Sequence, residues 1–256
     1  MNKAHGRFAW HELNTSNPVG ALAFYPPITS WTSQPMEESA DYTLWVNDGA
    51  PLGGVTPLTA ALKTRGVPPH WLSYVSVYDV DESVRHVKEL GGAVLMGPME
   101  IPNVGAWAVI ADPHGATIGM FEPAGPPPEQ SAQPRRGEFS WHELMTADYK
   151  AAFEFYRALF KWEKIDEADM GPMGMYFLFG QGGQTYGGMF NRTPEMPPPN
   201  WLAYVRVDDV KAAAQTVAKL GGTIMNGPME VPGGDWIAQC MDGQGAPFAL
   251  HTIKAS

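Results

Sequence analysis

The sequence predicts an α+β fold in which four βαβββ modules form two domains by tandem duplication. An internal repeat is the main observation: WLSYVSVYDV, which opens residues 71–102, returns as WLAYVRVDDV at the start of residues 201–232. GRFAWHEL and GEFSWHEL form a second repeated pair earlier in each half. Self-similarity of this kind indicates duplicated structural units. We therefore predict a first domain over residues 1–122 and a second over residues 138–256, each containing two modules.

A linker is predicted between the two domains, over residues 123–137. Its sequence, PAGPPPEQSAQPRRG, is rich in proline, glycine and polar residues. Such a composition has little apolar surface to bury, so the segment is not expected to form a packed element.

The second module of each domain shows the order strand, helix and three strands. In the first domain a strand at 74–77 precedes a helix that Asp79 or Asp81 caps and Gly91-Gly92 ends. The apolar residues of this helix recur on one face, which is typical of an amphipathic helix. Three runs with strand character follow, AVLMGPMEIP, AWAVIAD and ATIGMFEP.

The first modules differ between the two domains. In the second domain the spacing predicts a helix from Ala147 or Asp148 to Phe160. In the first domain Pro26-Pro27 interrupts the corresponding helix, because the second proline denies its predecessor the helical region. We therefore expect the first helix of the chain to end near Tyr25.

Composition and charge narrow the classes of function. The net charge of −10 would repel a phosphate backbone, so nucleic acid is not an expected partner. No apolar run approaches the length of a membrane span, and the N-terminus does not resemble a secretory signal. The single cysteine, Cys240, is compatible with a reducing compartment. These features predict a cytoplasmic protein that does not contact membranes.

Four βαβββ modules, AFEFY in a first helix, LGG after a helix and DPHGA before a last strand together resemble the vicinal oxygen chelate superfamily. More narrowly, the chain is similar to its two-domain glyoxalase/bleomycin resistance protein/dioxygenase group, and the resemblance covers nearly the whole chain. It implies that paired modules enclose a cavity. It also implies that metal ligands, where present, come from the first and last strands of the modules.

The positions that the resemblance assigns to metal ligands hold residues that do not bind divalent metals. These residues are Trp10, Trp141, Leu72, Leu202, Gly119 and Ala249. We therefore predict no cofactor. The alternative is a divalent metal such as Zn, Mn, Ni or Fe, for which the histidines of the two WHEL motifs, His11 and His142, would be the fallback ligands.

Strand alternation orients the WHEL motifs, since residues two apart share a face. It places Trp10 and Glu12 in the first domain, and Trp141 and Glu143 in the second, towards the cavity. The WHEL histidines then face the helices. The two glutamates remain open between an acid/base role in an apolar cavity and a structural carboxylate with a hydrogen-bonding partner.

The same alternation predicts two unequal cavities. In the second, Tyr204, Arg206 and His251 join Glu143 in a polar cluster, and Glu143, His251 and Arg206 are the candidate catalytic residues. The first is more apolar, with Tyr74 and Phe121 on its strands. The predicted ligand-binding residues of both cavities are Trp10, Glu12, Tyr74, Phe121, Trp141 and Tyr204.

Three functions are compatible with this pattern. The favoured one is metal-independent binding of a small molecule in an aromatic cavity. The second is a lyase, isomerase or cyclase that uses Glu143 and His251 for acid/base chemistry and Arg206 as an anion anchor. The third, implied by the resemblance, is a metal-dependent glyoxalase or dioxygenase. Both a monomer and a homodimer are compatible with four modules in one chain.

Overall fold

The computed structural model describes residues 5–36, 39–125 and 133–254. Within those ranges, sixteen strands and six α-helices follow one another in four βαβββ modules. The strands form two mixed eight-stranded sheets, with the orders β2-β3-β4-β1-β5-β8-β7-β6 and β10-β11-β12-β9-β13-β16-β15-β14. The predicted α+β class and the duplicated modules are confirmed.

The first two modules contain the elements of the first sheet. Module 1 consists of β1 (Phe8–Thr15), α1 (Pro18–Phe24), α2 (Pro26–Thr29), β2 (Thr32–Met36), β3 (Ser39–Asn47) and β4 (Ala50–Pro57). After a connecting helix α3 (Ala60–Thr64), module 2 consists of β5 (His70–Ser76), α4 (Val80–Glu89), β6 (Ala93–Ile101), β7 (Gly105–Ala111) and β8 (Thr117–Pro123).

The last two modules contain the elements of the second sheet. Module 3 consists of β9 (Phe139–Thr146), α5 (Tyr149–Phe160), β10 (Glu163–Asp169), a short 3-10 turn (Gly171–Met173), β11 (Met175–Gln181) and β12 (Gln184–Asn191). Module 4 consists of β13 (Asn200–Arg206), α6 (Val210–Lys219), β14 (Thr223–Glu230), β15 (Trp236–Met241) and β16 (Pro247–Thr252).

The helix ends agree with the capping residues of the sequence. Asp79 caps α4 by accepting a hydrogen bond from the Glu82 amide at 2.7 Å, and Asp148 caps α5 in the same manner. The helix that precedes Pro26-Pro27 ends at Phe24, as expected from the proline pair. The sequence did not predict that the prolines would open a second short helix, α2, in which Pro26 occupies a first-turn position that needs no amide donor.

Side-chain packing divides the chain into two compact units that do not coincide with the sequence halves. One unit comprises the described residues within Met1–Trp10, Ser73–Ala132 and His142–Trp201, and therefore combines modules 2 and 3. The other comprises those within His11–Leu72, Gln133–Trp141 and Leu202–Ser256, and combines modules 1 and 4. The predicted domains, over residues 1–122 and 138–256, are instead consecutive parts of the chain, and their boundaries stay a prediction.

Each compact unit has its own hydrophobic core. In the unit of modules 2 and 3, the core contains Leu144 from β9 together with the aromatic face of α5 and apolar residues of β7 and β8. In the unit of modules 1 and 4, it contains Leu13, Val205 and Leu250 together with residues of α1 and α6. Burial of these apolar side chains supplies the main driving force for folding.

The described helices are all too short or too polar to cross a membrane. Cys240 lies fully buried on β15, where burial raises its pKa to about 12. Its thiol is therefore a packing group in this fold.

Candidate functional site

His251 lies on β16 in the unit of modules 1 and 4. Strands β13 and β16 run parallel, and their register pairs Arg206 with His251 and Tyr204 with Ala249. The alternating residues Val205 and Leu250 belong to the hydrophobic core. Since successive side chains of a strand point to opposite faces, Arg206 and His251 share the face that is turned away from the core.

Two side chains hold the imidazole of His251. The Ser140 Oγ lies 2.9 Å from Nδ1, and the Asp235 Oδ2 lies 3.0 Å from Nε2. The second carboxylate oxygen of Asp235 accepts the backbone amide of Lys254 at 2.8 Å. These three residues, Ser140, His251 and Asp235, are called the trio below. Both ring nitrogens are engaged, so the orientation of the imidazole is fixed.

The position of His251 lowers its pKa below the ordinary value. Its side chain is only 7% exposed, and desolvation of the charged form is the largest cause. The hydrogen bond and the charge of Asp235 act in the opposite direction, and the nearby Arg206 guanidinium adds a smaller lowering effect. The imidazole is therefore neutral near pH 7. A neutral imidazole with one nitrogen bound to a carboxylate can accept a proton at the other nitrogen.

Arg206 and Tyr204 complete this face of β13. The Arg206 guanidinium donates to the carbonyl of Pro134, and its backbone amide donates to the carbonyl of Glu138 at 2.8 Å. Tyr204 is 1% exposed and its hydroxyl accepts a hydrogen bond of 2.9 Å from the Gln239 amide. A guanidinium has several donors in a fixed plane, so Arg206 can hold a second acceptor besides a backbone carbonyl.

Glu143 lies in the other compact unit, on β9. It accepts a hydrogen bond of 2.8 Å from the Tyr176 hydroxyl. The parallel register places Gly188 of β12 beside Glu143, and a Cβ at Gly188 would stand 2.1 Å from the Tyr176 ring. The glycine therefore makes room for the tyrosine that holds the carboxylate, because it has no side chain to block the close approach of the ring.

The WHEL histidines are buried in the two hydrophobic cores. His142 is 5% exposed and stacks on Phe8 with ring centroids 3.4 Å apart. Its Nδ1 lies 3.3 Å from the Tyr186 carbonyl, and burial lowers its pKa to about 3. His11 is also 5% exposed and stacks on Phe139 at 3.5 Å. Both rings face core aromatic residues, which is the helix-side orientation predicted from strand alternation.

The predicted ligand-binding residues of the first half have mixed environments. Trp10 and Phe121 are half-buried, and half-buried Glu12 accepts a 3.1 Å hydrogen bond from the Asn14 amide. Tyr74 is buried and packs on Gly119, where a Cβ would stand 2.2 Å from its ring. In the second half, Trp141 is half-buried and directly follows Ser140. Their contacts with a ligand stay a prediction.

The residues of this chain do not fit the metal site that the fold would suggest. Strand positions that could project towards a metal hold Trp141 on β9 and Ala249 on β16, neither of which supplies a ligand atom. His11 and His142 are enclosed by aromatic rings. Across residues 5–36, 39–125 and 133–254, no group of three His, Cys, Asp or Glu side chains is arranged to hold a metal ion.

The sequence did not identify Ser140 and Asp235 as partners of His251, nor Tyr176 as the partner of Glu143. A signal was present in the internal repeat. The first half carries Ala9, Gly105 and Phe121 at the positions that correspond to Ser140, Asp235 and His251. The residues around Gly105 and Phe121 also differ from those around Asp235 and His251, and only the strand of Ala9 and Ser140 is closely repeated, so this signal is weak.

Solved structures of a glyoxalase and a dioxygenase share this fold. A Mn(II)-bound glyoxalase from Novosphingobium aromaticivorans superposes with a TM-score of 0.67 at 14% identity, over 98% of this chain and 83% of that protein. A 2,2',3-trihydroxybiphenyl 1,2-dioxygenase from Sphingomonas wittichii gives 0.69 at 14% identity, over 97% and 90% of the two chains. These similarities establish the architecture of paired βαβββ modules.

Sequence comparison finds relatives of this chain. Residues 138–250 match the model of the Glyoxalase/Bleomycin resistance protein/Dioxygenase superfamily. A Mycobacterium tuberculosis protein named "Putative glyoxylase CFP32" is 28% identical over 246 residues, which cover 94% of this chain and 92% of that protein. The Streptomyces peucetius "Anthracycline biosynthesis protein DnrV" is 28% identical over 272 residues, with 98% and 94% coverage. The chain is thus similar to these two proteins over nearly its whole length, and its second half is similar to that superfamily.

Proposed function

We propose that this protein binds a planar, oxygenated aromatic molecule without a metal, on the polar face that Tyr204, Arg206 and His251 form on β13 and β16. The observation that carries the proposal is the fixed pair of Arg206 and His251 on neighbouring strands, on the side turned away from the core. This face offers a guanidinium and an imidazole to the oxygen atoms of a ligand.

The chemistry of these groups defines the class of ligand. A guanidinium binds carbonyl, phenolate or carboxylate oxygens through charge-assisted hydrogen bonds. The half-buried indole of Trp141 adds flat apolar surface in the same compact unit. A rigid aromatic ligand with oxygen substituents uses both kinds of contact. The name of the DnrV relative, which refers to anthracycline biosynthesis, supports an aromatic ligand of this type.

Alizarin, a dihydroxyanthraquinone, is a suitable probe for this proposal. The protein is treated with a chelator, and quenching of its tryptophan fluorescence is measured as alizarin is added. We expect saturable quenching that is unchanged when zinc, manganese, nickel or ferrous iron is supplied. The variant Arg206→Gln should bind more weakly, and Arg192→Gln, whose guanidinium bonds backbone carbonyls in the other unit, is the matched control. Binding that appears only with metal would contradict the proposal.

A second candidate function is proton transfer next to a carbonyl group, as in a lyase, isomerase or cyclase. The observation that favours it is the neutral His251, which Asp235 orients through Nε2. In this function His251 accepts the proton and Arg206 binds the developing oxyanion.

The variant Asp235→Asn separates the two candidates. A binding protein should keep its affinity for alizarin in this variant, because the amide oxygen retains an acceptor for His251 Nε2. A proton-transfer enzyme should lose turnover while it still binds. Turnover is measured by NMR in deuterated water, as exchange of carbon-bound hydrogen in a hydroxylated aromatic ketone. If the wild-type protein catalyses no exchange, the enzymatic candidate is wrong.

A further inference from the structure

We propose that Ser140 is a nucleophile, activated by His251 and Asp235, and that it accepts an acyl group from an ester. This activity goes beyond the proposed binding of an aromatic ligand and does not depend on it. The proposal rests on the order of the three side chains, in which hydroxyl, imidazole and carboxylate are linked by contacts of 2.9 Å and 3.0 Å.

The hydrogen bonds determine which nitrogen of His251 carries the proton. Asp235 has only acceptors when it is ionised, so the Nε2 that faces its carboxylate must be protonated. In the neutral imidazole Nδ1 is then an acceptor. The Ser140 hydroxyl lies 2.9 Å from Nδ1 and 3.4 Å from the Tyr204 carbonyl, and its one proton goes to the nearer acceptor, Nδ1. This is the arrangement in which a base can remove the hydroxyl proton as the oxygen attacks.

The carboxylate of Asp235 is itself fixed. One oxygen contacts His251 and the other accepts the Lys254 amide at 2.8 Å. Asp235 directly precedes β15, and its backbone carbonyl accepts the Val231 amide at 2.9 Å across the hairpin. Asp235 is thus a positioning residue that orients the imidazole and stabilises the cation formed when His251 takes the proton.

The first half of the chain shows that the trio is not required by the fold. Ala9 replaces the serine, and Gly105 and Phe121 replace the aspartate and histidine. A Cβ at Gly105 would stand 2.9 Å from the Phe121 ring, so the phenyl ring and a side chain at 105 compete for one space. The same backbone positions therefore hold small or apolar residues in the first half and a hydrogen-bonded trio in the second.

The acylation step conserves atoms and charge. The Ser140 oxygen forms a bond to the ester carbonyl carbon while its proton passes to His251 Nδ1. The ester C–O bond breaks, and the alcohol leaves with the proton that His251 returns. Water then attacks the acyl-serine by the same route, which releases the carboxylic acid and restores Ser140.

A fluorescent fluorophosphonate tests the proposal, because attack by serine forms an O–P bond and expels fluoride. The full-length protein is incubated with the probe, digested and mapped by mass spectrometry. We expect the label on Ser140, near one per chain at completion. Labelling should disappear in Ser140→Ala and slow at least tenfold in Asp235→Asn, and an ester such as p-nitrophenyl acetate should show an initial burst in the wild type.

The controls make each outcome decisive. Labelling at another residue, or equal labelling of native and denatured wild type, would overturn the proposal without any variant. The matched variant Ala9→Ser places a hydroxyl at the corresponding position of the first half, where Phe121 stands in for the histidine, and should gain no label. Thermal melts of all variants show whether a lost label reflects chemistry or unfolding.

Discussion

The two halves of the chain differ on the polar face of their sheets and agree in the contacts that hold their cores. In the second half, Ser140, His251 and Asp235 form a hydrogen-bonded trio. The corresponding residues of the first half are small or apolar. The difference shows that both halves keep the same core packing, whereas the face of β16 turned away from the core carries ionisable groups in the second half alone.

The agreement between the halves is close in the buried polar contacts. The Trp31 indole donates to the Gly137 carbonyl, and the Trp162 indole donates to the Gly6 carbonyl, both at 2.6 Å. The hydroxyls of Tyr25 and Tyr156 donate to Asp242 and Asp112, both at 3.0 Å. Those aspartates also accept the amides of their DPxG or related turns, which they thereby fold.

Replacing His251 by the phenylalanine of the first half should have the largest effect. His251→Phe removes the base from Ser140, so the rate of fluorophosphonate labelling should fall by about a hundredfold or more. The opposite exchange, Phe121→His, should leave labelling of Ser140 unchanged. The rate in the wild type should also decrease as the pH falls through the lowered pKa of His251, because the protonated ring no longer accepts a proton. A pH-independent rate would contradict the role of His251.

Arg206→Gln should have the next largest effect. Loss of a charge-assisted hydrogen bond costs about 1.5–3 kcal/mol, so the alizarin dissociation constant should rise by roughly ten- to a hundredfold. Ser76 is the corresponding residue of the first half, and Ser76→Ala should change alizarin affinity by less than about twofold. Equal effects of the two substitutions would show that the halves do not differ as ligand sites.

Removing the buried tyrosine hydroxyls should affect stability equally in the two halves. Tyr25→Phe and Tyr156→Phe each leave an aspartate oxygen without its donor and an indole without its acceptor. Each should lower the free energy of unfolding by about 1–3 kcal/mol, measured with urea. A loss confined to one variant would show that the shared contacts are not equivalent.

The buried His142 should make the stability of the protein depend on pH. Its pKa falls from 6.5 to about 3 on folding. Between these two pH values the unfolded state binds the proton and the folded state does not. The contribution of neutral His142 to the free energy of unfolding is fully present above pH 6.5. It decreases by about 1.4 kcal/mol per pH unit as the pH falls from 6.5 towards 3. His142→Phe should remove this part of the slope in urea unfolding, and an unchanged slope would contradict neutral burial of His142.

Much of the fold could be predicted because the same pattern of apolar residues and helix-ending residues occurs in both halves of the sequence. Asp79, Asp148 and the proline pair located the helix ends through local geometry alone. Strand alternation placed Arg206 and His251 on one face because both belong to regular strands.

The trio could not be predicted with the same means. Ser140 is 111 residues from His251 in sequence, and their contact depends on the pairing of strands from different modules. Asp235 lies at the start of a strand after a hairpin, where alternation says little about direction. The repeat does not help, because the strands that carry Gly105 and Phe121 differ from those of Asp235 and His251 at nearly every position.

The most direct test of the functional difference between the halves is a calorimetric titration of alizarin into chelator-treated protein. Wild type is compared with the combined variant Ser140→Ala, Arg206→Gln, His251→Phe, and the thermal melts of both are recorded. We predict saturable binding by the wild type and no measurable binding by a variant that remains folded. If the folded variant binds alizarin as well as the wild type does, the ligand binds elsewhere. This result would contradict the proposal that the second half of the chain holds the binding site.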